Sequence, residues 1–340
     1  AAPNSCTSGV GGSRRTGMAG SAGVRASQRY HRDRSALGES STACAPRRVT
    51  RTKSSRRRLV GARHEAVDML LSSPSYLRTA ELRLRGYTRT MIRRAVDCGD
   101  LIRVRRGRYV WGGIDERHMV AARSGGRLDC VSLLGALGVF VLSDGETHLQ
   151  FDRSDSRLPP RHRGMRAHWR HAAGSRADLQ VDLVEALAQA CRCQPPRVAV
   201  ASLDSALHLG LIDTDDLDAV FDRLPRRYRP LRKLIDARAE AGSETLVRLI
   251  LRSMGYRPSL QVRLRGVGRV DLLIDGWLIV ECDSRAFHGD VSQQIRDRRR
   301  DLAAAELGYV TLRILAEDVF HRPDAVRAAL GSVQDVLCKD

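Results

Sequence analysis

The feature that most constrains the fold is a pair of apolar segments near the C-terminus, Gly268–Ile274 and Trp277–Asp283, separated by Asp275 and Gly276. Both segments have the length and the Val, Leu and Ile content typical of β-strands, and Asp-Gly is a strong hairpin signal. The sequence therefore predicts two antiparallel strands joined by a tight turn.

Two registers are open for this hairpin. A two-residue turn pairs Ile274 with Trp277 and leaves Asp271 and Glu281 on different faces. A three-residue loop pairs Ile274 with Leu278 and places Asp271 opposite Glu281. We favour the second register because one face then becomes wholly apolar and buries no charge. That face consists of Val270, Leu272, Ile274, Leu278, Val280 and Cys282.

The flanking segments complete an order of helix, three strands, helix, strand and helix. They are a helix Glu244–Met254 capped by Ser243, a strand Gln261–Leu264, a helix Val291–Leu307, a strand Val310–Ile314 and a helix Pro323–Leu337. We expect a mixed α/β domain over residues 237–340.

Opposed carboxylates in this register predict a cation site. Asp271 lies opposite Glu281, and Arg269 lies opposite Asp283. Two carboxylates roughly 5 Å apart repel each other unless a positive charge lies between them. A divalent cation, Mg²⁺ or Mn²⁺, suits such a site and the cleavage of phosphodiesters.

This region resembles the PD-(D/E)xK nucleases, and more closely the domains related to very-short-patch repair endonucleases. The matching positions are Ser243-Glu244, Gln261, Gly268-Arg269-Val270-Asp271, Val280-Glu281-Cys282-Asp283, Phe287-His288, Asp297, Arg300-Asp301 and Gly308-Tyr309. Val270 stands where the superfamily has proline, Asp283 where it has lysine, and Ser284 where the closer family has glycine.

The resemblance implies a restriction-endonuclease-like fold and a set of catalytic residues. Asp271 would be the main metal ligand, Glu281 the second ligand, and Glu244 an outer ligand. His288 would activate water or stabilise the leaving group, and Asp283 matches an acid of the closer family. Arg300 and Asp301 would hold the geometry of the site or contact phosphate.

The N-terminal residues 1–60 carry 13 Lys and Arg side chains against two acids, within a chain of net charge +19. This Arg-, Ser- and Gly-rich segment lacks periodic apolar residues, so we expect a disordered basic arm. Such an arm either grips phosphates or has no role, and the sequence favours neither.

Residues 61–116 have the pattern of a winged helix-turn-helix. Helices are predicted at His64–Leu71, at Thr79–Leu84 and after a Thr88 cap, the last with Met91 on its apolar side. Strands Leu101–Arg105 and Arg108–Trp111 follow. Seven arginines are candidate DNA contacts: Arg89, Arg93, Arg94, Arg103, Arg105, Arg106 and Arg108. This stretch resembles AbiEi-type antitoxin domains, whose shared ending here is Arg105-Arg106-Gly107-Arg108-Tyr109.

Residues 117–236 predict a middle α+β domain without a recognisable reaction. The longest apolar run, Val131–Leu142, predicts a buried helix and is far too short to span a membrane. The histidines have no ligand spacing, and the eight cysteines include no C-x-x-C pair, which disfavours disulfides and structural zinc. We expect a cytoplasmic protein without a membrane partner.

These patterns predict a DNA-binding, metal-dependent endonuclease with Mg²⁺ or Mn²⁺ as cofactor. The alternative is a non-catalytic, antitoxin-like transcriptional regulator that retains a degenerate nuclease domain and binds a toxin. A nuclease directed at RNA is a third interpretation, since phosphate contacts do not distinguish the sugars. A homodimer is a further prediction.

Overall fold

The computed structural model describes residues 74–142, 145–156, 158–160, 163–171, 173–283 and 291–337. The predicted arm 1–60 and the predicted helix at 64–71 lie outside these residues. The chain between 74 and 111 forms β1 (Leu77–Arg78), α1 (Thr79–Leu84), α2 (Arg89–Asp97), β2 (Leu101–Arg105) and β3 (Arg108–Trp111). The three strands form an antiparallel sheet in the order β1-β3-β2.

Local chemistry explains the bounds of α2. The hydroxyl of Thr88 accepts a hydrogen bond from the Met91 amide at 3.2 Å and so caps the helix. Gly99, with φ of +83°, follows the C-terminus, where a left-handed residue favours glycine. Ile92 is the buried contact of this helix, whereas Met91 is 49% exposed. The predicted placement of Met91 on the apolar side of the helix was therefore wrong.

The middle of the chain combines a small sheet with a group of helices. Its elements are α3 (Glu116–Ser124), β4 (Arg127–Leu128), α4 (Cys130–Ala136), β5 (Thr147–Phe151), β6 (Met165–Trp169), α5 (Leu183–Cys193), α6 (Pro196–His208), α7 (Thr214–Asp222) and a 3₁₀ segment (Arg226–Leu234). In the sheet order β4-β5-β6, β5 and β6 are parallel. The predicted helix Val131–Leu142 is shorter than expected, because Gly138 turns the chain with φ of +79°.

The C-terminal region has the predicted elements in the predicted order, with one additional short helix, Ala316–His321, before the last one. They are α8 (Gly242–Ser253), β7 (Ser259–Leu264), β8 (Gly268–Ile274), β9 (Leu278–Asp283), α9 (Val291–Glu306), β10 (Val310–Leu315), α10 (Ala316–His321) and α11 (Pro323–Leu337). The sheet order is β10-β9-β8-β7, and β10 is parallel to β9. The predicted Ser243 cap is wrong, since the cap position is Ala241 and Ser243 is a buried residue of α8.

The hairpin adopts the three-residue register. Ile274 pairs with Leu278, and Leu272 pairs with Val280. The loop is closed by a hydrogen bond from the Trp277 amide to the Ile274 carbonyl at 3.2 Å. The favoured register is therefore confirmed.

The expected apolar face is interrupted at one end of β8. Val270 packs with Val267, Ile279 and Ala304, whereas Leu272 belongs to the core formed with α8, α10 and α11. In the neighbouring strand β7, Gln261 lies between the pairs Leu260–Leu272 and Val262–Val270 and has φ of +53°, in the left-handed region.

Two further expectations concern contacts between elements. The placement of Arg269 opposite Asp283 stays a prediction, and their side chains pair elsewhere, Arg269 with Glu240 and Asp283 with Arg313. Helices α6 and α8, which lie on opposite sides of the predicted domain boundary at residue 236, pack against each other. The domain boundaries at residues 116 and 236 stay predictions. Within the described ranges, no helix has the length and apolar character needed to span a bilayer.

Candidate functional site

The arginines predicted to contact DNA fall into two groups by exposure. Five are exposed, namely Arg89, Arg93 and Arg94 on α2 and Arg103 and Arg106 in the hairpin of β2 and β3. Arg105 and Arg108 are half-buried. The Arg108 guanidinium lies 5.0 Å from the centre of the Tyr76 ring, and Arg105 packs against Gly125. The structure thus presents five of the seven to solvent.

Three of the predicted acids lie together in the C-terminal region. Glu244 comes from the first turn of α8, Asp271 from the middle of β8 and Glu281 from β9. Glu244 and Glu281 are 4% and 7% exposed, and Asp271 is half-buried. We call these three residues the acidic cluster.

Neighbouring donors hold each carboxylate of the acidic cluster. Glu244 accepts hydrogen bonds from the Gln261 amide at 2.9 Å and from the Glu240 backbone at 3.0 Å. Asp271 accepts one from the Cys282 backbone at 3.0 Å. This last bond uses the amide next to Glu281, so strand β9 itself holds the two acids side by side.

Burial and repulsion by a neighbouring carboxylate make Glu244 and Glu281 hard to ionise. Burial, followed by the charge of Asp271, raises the pKa of Glu244 to about 7. The same two causes, in the same order, raise the pKa of Glu281, while Arg300 acts in the opposite direction through an ion pair. Raised carboxyl pKa values of this kind are common at active and binding sites, and buried structural carboxyls also have them.

The remaining predicted site residues are placed differently. Asp283 lies outside the cluster's hydrogen bonds and pairs with Arg313 at 3.1 Å, and Arg313 also binds Asp301 at 2.8 Å. His288 and Ser284 lie outside the described residues. The structure therefore brings together Glu244, Asp271 and Glu281, with Arg300 beside them.

A second group of side chains, in the middle of the chain, escaped the sequence analysis. Cys130, His148, His168 and Cys193 each offer one ligand atom, and these four atoms lie within 4.8 Å of one another. We call them the Cys/His cluster. Hydrogen bonds, the first from Cys130, hold the pKa of the Cys193 thiol far below its usual range. The structure thus brings together four side chains among which the sequence shows no ligand spacing.

The spacing explains why this cluster was missed. Its residues come from α4, β5, β6 and α5, so the sequence lacks the two close pairs that mark a zinc knuckle. A usable signal was the position of His148 and His168 in two segments of strand character.

Comparisons with known proteins support one part of the sequence analysis. The family described as "Transcriptional regulator, AbiEi antitoxin" matches residues 65–110. Two uncharacterized proteins of Mycobacterium tuberculosis, one from strain CDC 1551 and one from strain H37Rv, are each 31% identical over 144 residues. The alignment covers 39% of this chain and 53% of each relative, so the chain spans about half the length of the curated relatives it matches.

Proposed function

We propose that the chain is a DNA-binding transcriptional regulator of the AbiEi antitoxin kind. The observation that carries this proposal is the family match over residues 65–110. The described part of that stretch contains α1, α2 and the hairpin of β2 and β3, elements typical of a winged helix-turn-helix.

The exposed arginines support DNA as the ligand. The arginines of α2 are exposed, whereas its Ile92 is buried, so this helix can enter the major groove with its cations toward bases and phosphates. Arg103 and Arg106 extend the same charge onto the hairpin, which acts as the wing. The partner under this proposal is a toxin protein, which the regulator counteracts.

A salt titration of DNA binding tests the proposal. The DNA is a duplex from the promoter region of the protein's own gene. The triple variant Arg93→Ala, Arg94→Ala, Arg106→Ala should bind this duplex more weakly than the wild type does. Each lost phosphate contact should lower the slope of log K against log salt by about one unit.

A matched triple variant controls for the loss of charge. Arg226, Arg229 and Lys233 are exposed on the 3₁₀ segment, and replacing all three by alanine removes the same charge elsewhere. If both triple variants lower the slope equally, binding is not localised to the winged helix and the proposal fails.

The acidic cluster favours a second candidate function, metal-dependent cleavage of a phosphodiester. The residues present fit a divalent cation, because three carboxylates converge and the nearby Gln261 Oε1 is buried without a hydrogen-bond partner among the described residues. Asp271 and Glu281 would hold Mg²⁺ or Mn²⁺, with Glu244 binding through water. The ion would activate water and stabilise charge on the leaving oxygen. Nicking assays with Mg²⁺ test this candidate.

A further inference from the structure

We propose that the Cys/His cluster is a structural zinc site, with Cys130, His148, His168 and Cys193 as its four ligands. This inference is independent of the proposed function. It starts from the convergence of four ligand atoms within 4.8 Å, two of them sulfur and two of them nitrogen.

Two distances within the cluster are close to the edges of a zinc tetrahedron. Nδ1 of His148 lies 3.1 Å from Nε2 of His168, and that Nε2 lies 3.7 Å from the Cys193 sulfur. Bonds of about 2.05 Å to nitrogen and about 2.3 Å to sulfur imply edges of about 3.3 Å and about 3.5 Å, respectively. One ion therefore fits among these atoms with only small side-chain shifts.

The surrounding structure holds the ligands in place. The amide of Asp129, which precedes Cys130, donates to the His148 carbonyl at 3.0 Å. The His148 amide donates to the Ser132 hydroxyl at 2.8 Å. The buried Asp129 carboxylate also accepts a hydrogen bond at 2.9 Å from Arg170, two residues after His168. These contacts join α4, β5 and β6 before any ion binds.

Gln189 completes the orientation of one imidazole. Its side-chain amide lies 3.3 Å from His168 Nδ1, the ring nitrogen that faces away from the cluster. The same Gln189 nitrogen donates a hydrogen bond to the Cys193 sulfur at 3.3 Å. Gln189 therefore contacts two of the four ligand side chains and holds them near each other.

The ligand chemistry selects zinc and a structural role. Two thiolates with two imidazoles form one of the closed, four-coordinate zinc sets, without an open position for a substrate. Cys130 and His148 are almost completely buried, so the cluster is also poorly placed for a nucleophilic thiol to reach a substrate. The ion would bind the sheet of β5 and β6 to α4 and α5, beside the apolar core that contains Cys130.

Metal analysis of the full chain tests the proposal. We expect about one zinc per chain by elemental mass spectrometry after purification without added metal. The double variant Cys130→Ser, Cys193→Ser should retain less than a tenth of that content. Cys191→Ala is the matched control, because Cys191 is buried in α5 two residues from Cys193 and lies outside the cluster.

A titration of the metal-depleted wild type with Co²⁺ keeps the test decisive if the double variant fails to fold. We expect the intense visible bands of tetrahedral Co²⁺ and a sulfur-to-cobalt charge-transfer band, both removed by added Zn²⁺. Zinc should also restore the melting temperature lost on chelation. Absence of zinc together with the absence of a tetrahedral cobalt spectrum overturns the proposal, as does a zinc content that is unchanged in the double variant.

Discussion

At the scale of single residues, Glu244 links the pH to stability. Its pKa is about 7 in the folded protein against a usual value of 4.5, so the folded chain holds this proton more tightly than the unfolded chain does. The unfolding free energy therefore falls as the pH rises from 5 to 8. We expect Glu244→Gln to relieve this loss, making the variant more stable relative to wild type at pH 8 than at pH 5 by about 2–3 kcal/mol.

Denaturant unfolding at both pH values measures this change. Glu306→Gln, at an exposed end of α9, serves as the control for removing one carboxylate elsewhere. A pH-independent difference for Glu244→Gln would contradict the raised pKa of the buried carboxyl.

At the scale of secondary structure, the sequence predicted those strand and helix bounds that depend on interactions between residues close in the chain. Strand β8 and helices α1 and α11 have their predicted bounds, and the Asp-Gly turn with its alternating residues was sufficient to choose the register of the hairpin. Contacts between distant elements were not predictable in this way. Serine is a common residue at helix caps, yet α8 begins before Ser243, at Gly242, and tertiary packing buries Ser243.

The same distinction applies to the candidate sites. Asp271 and Glu281 were placed together because both belong to one hairpin, whose register follows from its apolar pattern. The Cys/His cluster depends on the packing of four separate elements, and the spacing of its residues in the sequence does not predict that packing. The ion pair of Arg269 with Glu240, a residue outside the sheet, was likewise not predictable from the hairpin alone.

Between elements, a buried ion pair joins α6 to α8. Asp204 and Arg248 are 1% and 2% exposed and lie 2.7 Å apart, and Asp204 also accepts hydrogen bonds from Thr245 and from the Asp236 backbone. Asp204→Ala would leave the Arg248 charge buried without its partner, so we expect a loss of about 3–5 kcal/mol in unfolding free energy. Denaturant unfolding measures this loss.

Two further variants identify the cause of that loss. Asp204→Leu combined with Arg248→Met removes both charges and should recover part of the stability. Asp318→Ala removes an exposed partner of Arg322 and should cost less than about 1 kcal/mol. If the double variant is less stable than Asp204→Ala, the unpaired charge is not the cause.

At the scale of the whole molecule, the charges that suit DNA binding and the acids that suit cleavage belong to different regions. The five exposed arginines predicted to contact DNA lie in residues 89–106, whereas the acidic cluster lies in residues 244–281. Affinity for DNA should therefore survive changes in the acidic cluster. This separation allows the regulator and the nuclease functions to be tested independently on one protein.

The decisive variant is Asp271→Asn, assayed for DNA binding and for single-turnover nicking of plasmid DNA with Mg²⁺. If Asp271 holds the ion, nicking should fall by more than about 100-fold, since loss of even an outer partner of a metal ligand costs about 10–100-fold. Binding should stay within about threefold of wild type, because the arginines supply most of the affinity.

Asp275→Asn is the matched control. It removes a carboxylate from the hairpin turn, where φ of +50° suits asparagine, and should leave nicking unchanged. Equal nicking by wild type and Asp271→Asn would assign the cleavage to a contaminant or another site. Binding without any nicking by the wild type would leave transcriptional regulation as the function of the chain.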